Sequence, residues 1–393
     1  MQSFEYHCPT EIVFGRGAEE KAGAKAKEYG ASRVFIVYGG GSVLRSGLLA
    51  KIEKELTEAG LVFASLGGVQ PNPRLSLVRE GVKQSIAFGS DFILAVGGGS
   101  VIDSAKAIAH GTANPDVDVW DFWAGVRTIE KSLPVGVVLT IAAAGSETSD
   151  SAVLTNEETG KKGGVNTFFN RPAFAIMNPE LMYTLPQKQL SCGITDIMMH
   201  TMDRYFTNVE GNSFTDLVAE ALLRNVIAHA GTALADHKNY EAMSEIMWCG
   251  SVSHNGFTGL GRKMDFAAHK LGHELSGKFD VAHGESLTTM WGSWARYVYR
   301  DNPARFARFA ERVWDIDTGT VEERARAGIR KTEEFFHAIH MPLNFSELGI
   351  GVQDEKTLEY LADMCTAYGK KTVAVFHVID RQTALEIYRM ANH

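Results

Sequence analysis

Cysteine is scarce in this 393-residue chain, and the four present (Cys8, Cys192, Cys249, Cys365) lie far apart with no CxxC pair. That spacing excludes a disulfide framework and points to a reducing compartment. Excess positive charge is also missing. The formal net charge is -8, which disfavours nucleic acid or an anionic lipid surface as a partner and favours chemistry on small molecules. No apolar run reaches the roughly 18 residues that a membrane-spanning helix needs. The opening MQSFEYHCPTEIVFGRG has neither the basic start nor the apolar core of a signal peptide. A cytoplasmic protein without membrane contact is the expectation.

What is present is ample hydrophobic material, 45% of the residues, in a chain too long for one ordinary core. Up to about residue 187, short runs rich in Val, Ile and Phe alternate with helical patterns, the signature of parallel βα units. Segments 33–38, 61–65, 92–96 and 135–140 read as strands, and 43–59, 74–89 and 101–111 as helices. Continuously apolar strands imply a sheet covered on both faces. After Pro186 the strand-like runs vanish, and apolar residues recur at three- and four-residue spacing. Helices are expected over 190–207, 213–236, 242–255, 262–276, 285–299, 321–340 and 355–367. The expectation is an α/β domain with a Rossmann-like parallel sheet over 1–187, then an all-α domain over 188–393.

Two glycine turns follow strands directly: Gly39-Gly40-Gly41-Ser42 and Gly97-Gly98-Gly99-Ser100. Glycine lets the backbone approach a phosphate, and the positive end of the following helix stabilises its charge. Simple tight turns with Ser42 and Ser100 as helix N-caps explain the same residues. The fingerprint GxGxxG is absent, because Leu44 and Ile102 stand where its last glycine belongs. A third segment, Thr140 to Thr148, leaves a strand on small residues that give room for a ring or a ribose. Thr155 and a Lys161-Lys162 turn follow.

Thirteen histidines are scattered along the chain, and spacing separates a few of them. Asp196 and His200 lie four apart, as do His269 and His273, so a helix places each pair on one face. His283 follows in a turn-like stretch. An aspartate on the apolar face of a helix is costly unless paired or bound to metal. Three imidazoles and one carboxylate suit Zn²⁺ or Fe²⁺. Two buried Asp–His hydrogen-bonded pairs without metal explain the same spacing. A metal hydrolase is a further alternative, although Lys270 stands where the zinc-protease helix has its glutamate base.

Gly-Gly-Gly-Ser-Val-Ile-Asp-Ser-Ala-Lys106, the GSET turn, Asp-x-x-x-His200 and Ala268-His-Lys-Leu-Gly-His273, with Phe14-Gly-Arg-Gly17 and Pro71-Asn-Pro73, together resemble one family. This is the iron-containing (group III) alcohol dehydrogenase family, and Tyr38-Gly-Gly-Gly-Ser42 is most similar to its butanol dehydrogenase and broad aldehyde reductase branch. The resemblance implies a dehydroquinate synthase-like architecture with the active site in a cleft between the domains, and a homodimer or larger homo-oligomer. It carries the metal ligands onto Asp196, His200, His269 and His283, and casts His273 as a proton relay rather than a ligand. Pyrophosphate is placed on Gly98, Gly99 and Ser100, with Asp103 beside the dinucleotide. Thr140, Ala144, Ser146, Ser149, Thr155, Lys162 and Leu181 line its path. No acidic residue occurs in Gly39–Ser46; this neutral loop with Ser42 and Arg45 suits the 2′-phosphate of NADP(H) better than NAD(H). The implied activity is hydride transfer between the cofactor and a small alcohol or aldehyde. A lyase on the same scaffold remains the alternative from another class, and it requires a strongly basic pocket.

Overall fold

A computed structural model describes all residues from Met1 to His393. The chain forms two compact units, His7–Leu185 and Pro186–His393, and Met1–Tyr6 belongs with the second.

The first unit is built on β1 (Glu11–Phe14), β2 (Arg33–Gly39), β3 (Val62–Val69), β4 (Phe92–Gly97), β5 (Val135–Leu139), β6 (Ser151–Asn156), β7 (Lys161–Asn166) and β8 (Phe174–Met177). Its helices are α1 (Ala22–Glu28), α2 (Ser42–Arg45), α3 (Leu48–Glu58), α4 (Leu75–Phe88), α5 (Gly99–Ala113) and α6 (Trp120–Trp123). Six strands pair in the order β1-β8-β5-β4-β2-β3, all parallel. Val34, Ile36, Leu94 and Val96 face Ala22, Ala26, Leu49, Ile52 and Leu56 on one side. Side-chain alternation turns Phe35, Val37 and Ile93 to the opposite face, where α4 and α5 pack. Such two-sided burial is why β4 and β5 read as unbroken apolar runs.

Connectivity runs outward in opposite directions from β2 and β4, which pair with Tyr38 opposite Val96. In open α/β sheets, ligands bind beyond the carboxyl ends of strands at such a switch point. Both glycine turns emerge there.

Two expectations for this unit need correction. The helix expected over 43–59 is two, α2 and α3, because Gly47 adopts φ 75° and interrupts it. Lys161 and Lys162 do not form a turn; they start β7, which pairs antiparallel with β6.

The second unit contains no strand beyond an isolated bridge. It comprises α7 (Gln187–Tyr205), α8 (Ser213–Ala235), α9 (Tyr240–His254), α10 (Ala267–Phe279), α11 (His283–Val298), α12 (Pro303–Trp314), α13 (Val321–Ala338), α14 (Glu355–Cys365) and α15 (Arg381–Ala391). α10 starts five residues later than the 262–276 pattern suggests. Phe266 sits at φ 57°, and the Asp265 carboxylate accepts the N–H groups of Ala267, Val375 and Phe376, so the preceding segment is committed elsewhere. No helix is long and apolar enough to cross a membrane.

Gly23 sets how closely α1 approaches α3, since an added Cβ would lie 2.1 Å from the Glu55 carbonyl oxygen. Alanine gains about 1 kcal/mol of helix propensity over glycine. Overpacking against backbone, which cannot swing aside, costs about 1–3 kcal/mol or more. Gly23→Ala is therefore expected to lower Tm by several degrees in a thermal melt; a rise would show that α1 yields instead.

Candidate metal centre and nucleotide site

Asp196 and His200 lie one turn apart on α7, which is buried along most of its length. The His200 Nδ1 is 3.0 Å from Asp196 Oδ1 and donates to the Asp196 carbonyl at 2.9 Å. α10 brings His269 Nε2 to 3.6 Å from the same carboxylate oxygen, and the first residue of α11 brings His283 Nε2 to 3.7 Å. One potential ligand atom each from Asp196, His200 and His269 falls within a 4.8 Å group. His283 closes the cluster on a more open side, with its side chain 27% exposed against 5% for His269. Glycines allow the helices this proximity. A Cβ on Gly284 would lie 2.7 Å from the Cys192 backbone, and one on Gly272 would lie 3.1 Å from the Ser286 carbonyl.

Burial alone raises the pKa of Asp196, yet the charges of His200 and His283 hold it well below the usual carboxylate range. Burial lowers His200, with Asp196 opposing. Burial also opposes charging of His269, but Asp203 and Asp196 together draw it up to about 9. The Asp196 carboxylate thus stays ionised where the imidazoles converge. Asp196 Oδ1 and His269 Nε2 are buried and make no hydrogen bond. A buried carboxylate oxygen and ring nitrogen facing each other without hydrogen-bond partners fit a divalent cation, and the three-nitrogen, one-oxygen set suits Fe²⁺ or Zn²⁺.

His273, one turn beyond His269, has its ring centroid 6.1 Å from that of His269 and 5.1 Å from that of His283. It lies at the edge of the group and outside the tight three-residue set. Two neighbours escaped the sequence reading. Asp203 accepts from His269 Nδ1 at 2.5 Å, which turns the other ring nitrogen toward Asp196. His254, the last residue of α9, sets its ring centroid 4.0 Å from that of His200 at a tilt of 48°, and burial keeps it neutral. Extending the Asp196–His200 period by one further turn reaches Asp203; no spacing signal points to His254.

In the first unit, α5 points its N-terminus at the carboxyl end of β4. A Cβ on Gly98 would lie 2.1 Å from Ile141 Cγ2 and one on Gly97 2.5 Å from Val101 Cγ2, so the turn has no room for side chains. Its N-cap is Gly98, and that of α2 is Gly41. Ser100 and Ser42 therefore lie inside their helices rather than capping them. Gly39 ends β2, Gly40 and Gly41 form the turn, and Arg45 folds back so that a Gly41 Cβ would meet its Nη1 at 3.2 Å. The free N–H groups expected in a helix's first turn and a side-chain-free turn fit a dinucleotide phosphate.

Thr140, Ala144, Ser146 and Ser149 share one irregular segment after β5, in which a Gly99 Cβ would touch Ala144 Cβ at 3.4 Å. Thr155 and Lys162 face each other across the β6–β7 hairpin, and Lys162 donates to Asn72 Oδ1 at 3.0 Å. Asp103 is engaged within the protein, accepting from Ser146 Oγ at 2.6 Å and from the Val153 N–H at 2.9 Å. Leu181 packs against the sheet core.

Nearly the whole chain resembles known proteins. Residues 9–179 match the family described as iron-containing alcohol dehydrogenase, and residues 191–392 match the C-terminal region of the Fe-containing alcohol dehydrogenase family. The chain belongs to the iron-containing alcohol dehydrogenase family. It is 37% identical to NADH-dependent butanol dehydrogenase A of Clostridium acetobutylicum, with 99% of each chain covered. Identity to the NADPH-dependent aldehyde reductase YqhD of Escherichia coli is 33%, with both chains covered completely. Among solved structures, NADH-dependent butanol dehydrogenase A of Thermotoga maritima superposes with a TM-score of 0.95 at 33% identity, covering 100% of this chain and 99% of the other. The protein is accordingly a metal-dependent, nicotinamide-linked enzyme of the alcohol dehydrogenase and aldehyde reductase class. Lyase and hydrolase chemistry are not favoured.

Supporting carboxylates of Asp203's kind are worth about 10- to 100-fold in metal affinity. Asp203→Asn is expected to lose iron or zinc to a chelator faster by that factor, measured by elemental analysis after timed dialysis. Unchanged retention would mean that Asp203 does not support His269.

Proposed function

We propose that this enzyme interconverts small primary alcohols and their aldehydes with NADP(H), and that Asp196, His200, His269 and His283 hold its divalent ion, Fe²⁺ or Zn²⁺. The observation that carries the reading is the convergence of three imidazoles on one buried carboxylate whose Oδ1 makes no hydrogen bond. When bound, the ion supplies Lewis-acid stabilisation of the charge that develops on the substrate oxygen during hydride transfer.

The chain's own residues do the rest. Asp203 holds the proton of His269 on Nδ1 and fixes the ring. His254 covers one side of His200 with a neutral ring, which keeps water from that ligand. His273 passes the hydroxyl proton of the alcohol from its imidazole to water. Gly98, Gly99 and Ser100 hold the pyrophosphate, with Asp103 alongside; Thr140, Ala144, Ser146 and Ser149 lie along the nicotinamide half, and Thr155, Lys162 and Leu181 complete the path.

For the cofactor, the names of the relatives divide between NADH and NADPH. The local chemistry favours NADP(H): Gly39, Gly40, Gly41 and Ser42 carry no negative charge, and the Arg45 guanidinium lies over the turn. Names such as butanol dehydrogenase and aldehyde reductase support short, mainly apolar substrates. The family resemblance adds a homo-oligomeric state, which sedimentation measures.

The test is a metal-defined screen: protein stripped of metal, reloaded with Fe²⁺ or Zn²⁺, and assayed on aldehydes of increasing length with NADPH and with NADH. Turnover is expected only after reloading, with higher kcat/KM for NADPH. His269→Ala should lose both bound metal and activity; retention of full metal content and rate would refute the ligand assignment. Arg45→Ala should lower kcat/KM for NADPH by about 10-fold or more, the worth of one charge-assisted hydrogen bond. Its kcat/KM for NADH should stay near the parent value, and an unchanged NADPH/NADH ratio would count against a 2′-phosphate at Arg45.

A further inference from the structure

Lys106 is the largest charged side chain fully enclosed in the protein, with none of its surface exposed. Its ammonium lies 2.8 Å from the Ser146 carbonyl, 2.8 Å from Ser146 Oγ, 2.8 Å from the Ser151 carbonyl and 3.3 Å from the Ser149 carbonyl. The stretch it holds has neither helix nor strand from Ile141 to Asp150, yet Ser146, Glu147, Thr148 and Ser149 are buried. Irregular backbone in that position must find partners for its carbonyls. Here one cation from a neighbouring helix satisfies two of them, at Ser146 and Ser149, and a third at Ser151, the first residue of β6.

We propose that Lys106 is a positioning residue for the nicotinamide half of the dinucleotide, clamping the segment from Ser146 to Ser151 to the helix whose N-terminus forms the pyrophosphate turn. The inference rests on the cofactor reading above and deepens it. Asp103 and Lys106 are three residues apart on α5 and share one face. Asp103 takes the Ser146 hydroxyl and the Val153 N–H, and Lys106 takes the carbonyls between them. The clamp lies about 9 Å, six helical residues, from Ser100 at the phosphate end. At that end Gly98 already packs against Ile141 and Gly99 against Ala144. Both ends of the 141–151 segment are thereby referenced to one rigid helix.

A role for Lys106 as a base or a covalent nucleophile is ruled out by the enclosure, since four oxygens surround the amine and no substrate can reach it. Burial pulls its pKa down to about 8, while Asp103, Glu147 and Asp150 act to hold it up, so it carries its charge at neutral pH.

The decisive measurement compares two ligands on the metal-loaded, full-length enzyme carrying Lys106→Met, an apolar side chain of similar length. NADPH carries both halves of the cofactor, whereas 2′,5′-ADP carries only the adenosine half. Fluorescence titration should show the Kd for NADPH rising by about 10- to 100-fold, the scale on which small misplacements act. The Kd for 2′,5′-ADP should remain within about threefold of the parent, and KM for NADPH should rise with a fall in kcat. Lys106→Gln, which keeps two donors and lacks the charge, should fall between the two proteins and carries the same test if the methionine variant does not fold. Equal loss of both ligands would reduce Lys106 to general stability and overturn the proposal, as would unchanged NADPH binding. Failure of the parent enzyme to bind either NADPH or NADH would instead overturn the cofactor reading, and this inference with it.

Discussion

Keeping one carboxylate ionised inside a helical bundle is the constraint on which the catalytic end of this protein depends. An unpaired buried carboxylate is expelled from water at a cost of several kcal/mol and more. Asp196 avoids that outcome because α7, α10 and α11 each deliver an imidazole to it. Helices that carry bulky residues at their contacts stand 8–10 Å apart. Gly284 and Gly272 let these three come closer, so the glycine positions and the histidine positions are parts of one geometric solution. A side chain on Gly284 would press on the Cys192 backbone of α7, and one on Gly272 on Ser286 of α11.

The first unit meets an analogous demand with opposite means. Its glycine turns offer bare backbone and a helix end instead of charged side chains. Charged groups in that unit do structural work one layer deeper. Asp103 and Lys106 sit beneath the turn and hold irregular backbone in place, and Lys162 is tethered to Asn72 on the loop before α4. The irregular segment after β5 is shaped by polar groups that face inward.

Much of this was legible in the sequence, for identifiable reasons. β2, β4 and β5 declare themselves because burial on both faces leaves them continuously apolar. Asp196 and His200 declare themselves because a polar pair at helical spacing interrupts an apolar pattern. β1 and β8, at four residues each, are too short to show a period. β7, with the sequence KKGGVN, contains residues that disfavour strands and exists because β6 pairs with it. α12 and α15 were not among the expected helices, although Asn302 and Asp380 cap their starts. Asp203 lies one helical turn beyond His200, so its place was readable, but its role rests on a contact with His269, 66 residues away, that no local pattern encodes.

The chain passes between its two units twice, after Tyr6 and again at Leu185–Pro186. Met1 and Gln2 are fixed by backbone carbonyls of Glu210 and Gly261, the first of these 209 residues distant. The sheet unit is therefore an insertion, in the topological sense, into the helical unit. During synthesis, residues 7–185 can complete their sheet as soon as they emerge, while Met1 and Gln2 wait for Glu210 and Gly261. Residues 1–6 therefore meet their partners only after the whole sheet unit and the first part of the helical unit have been made.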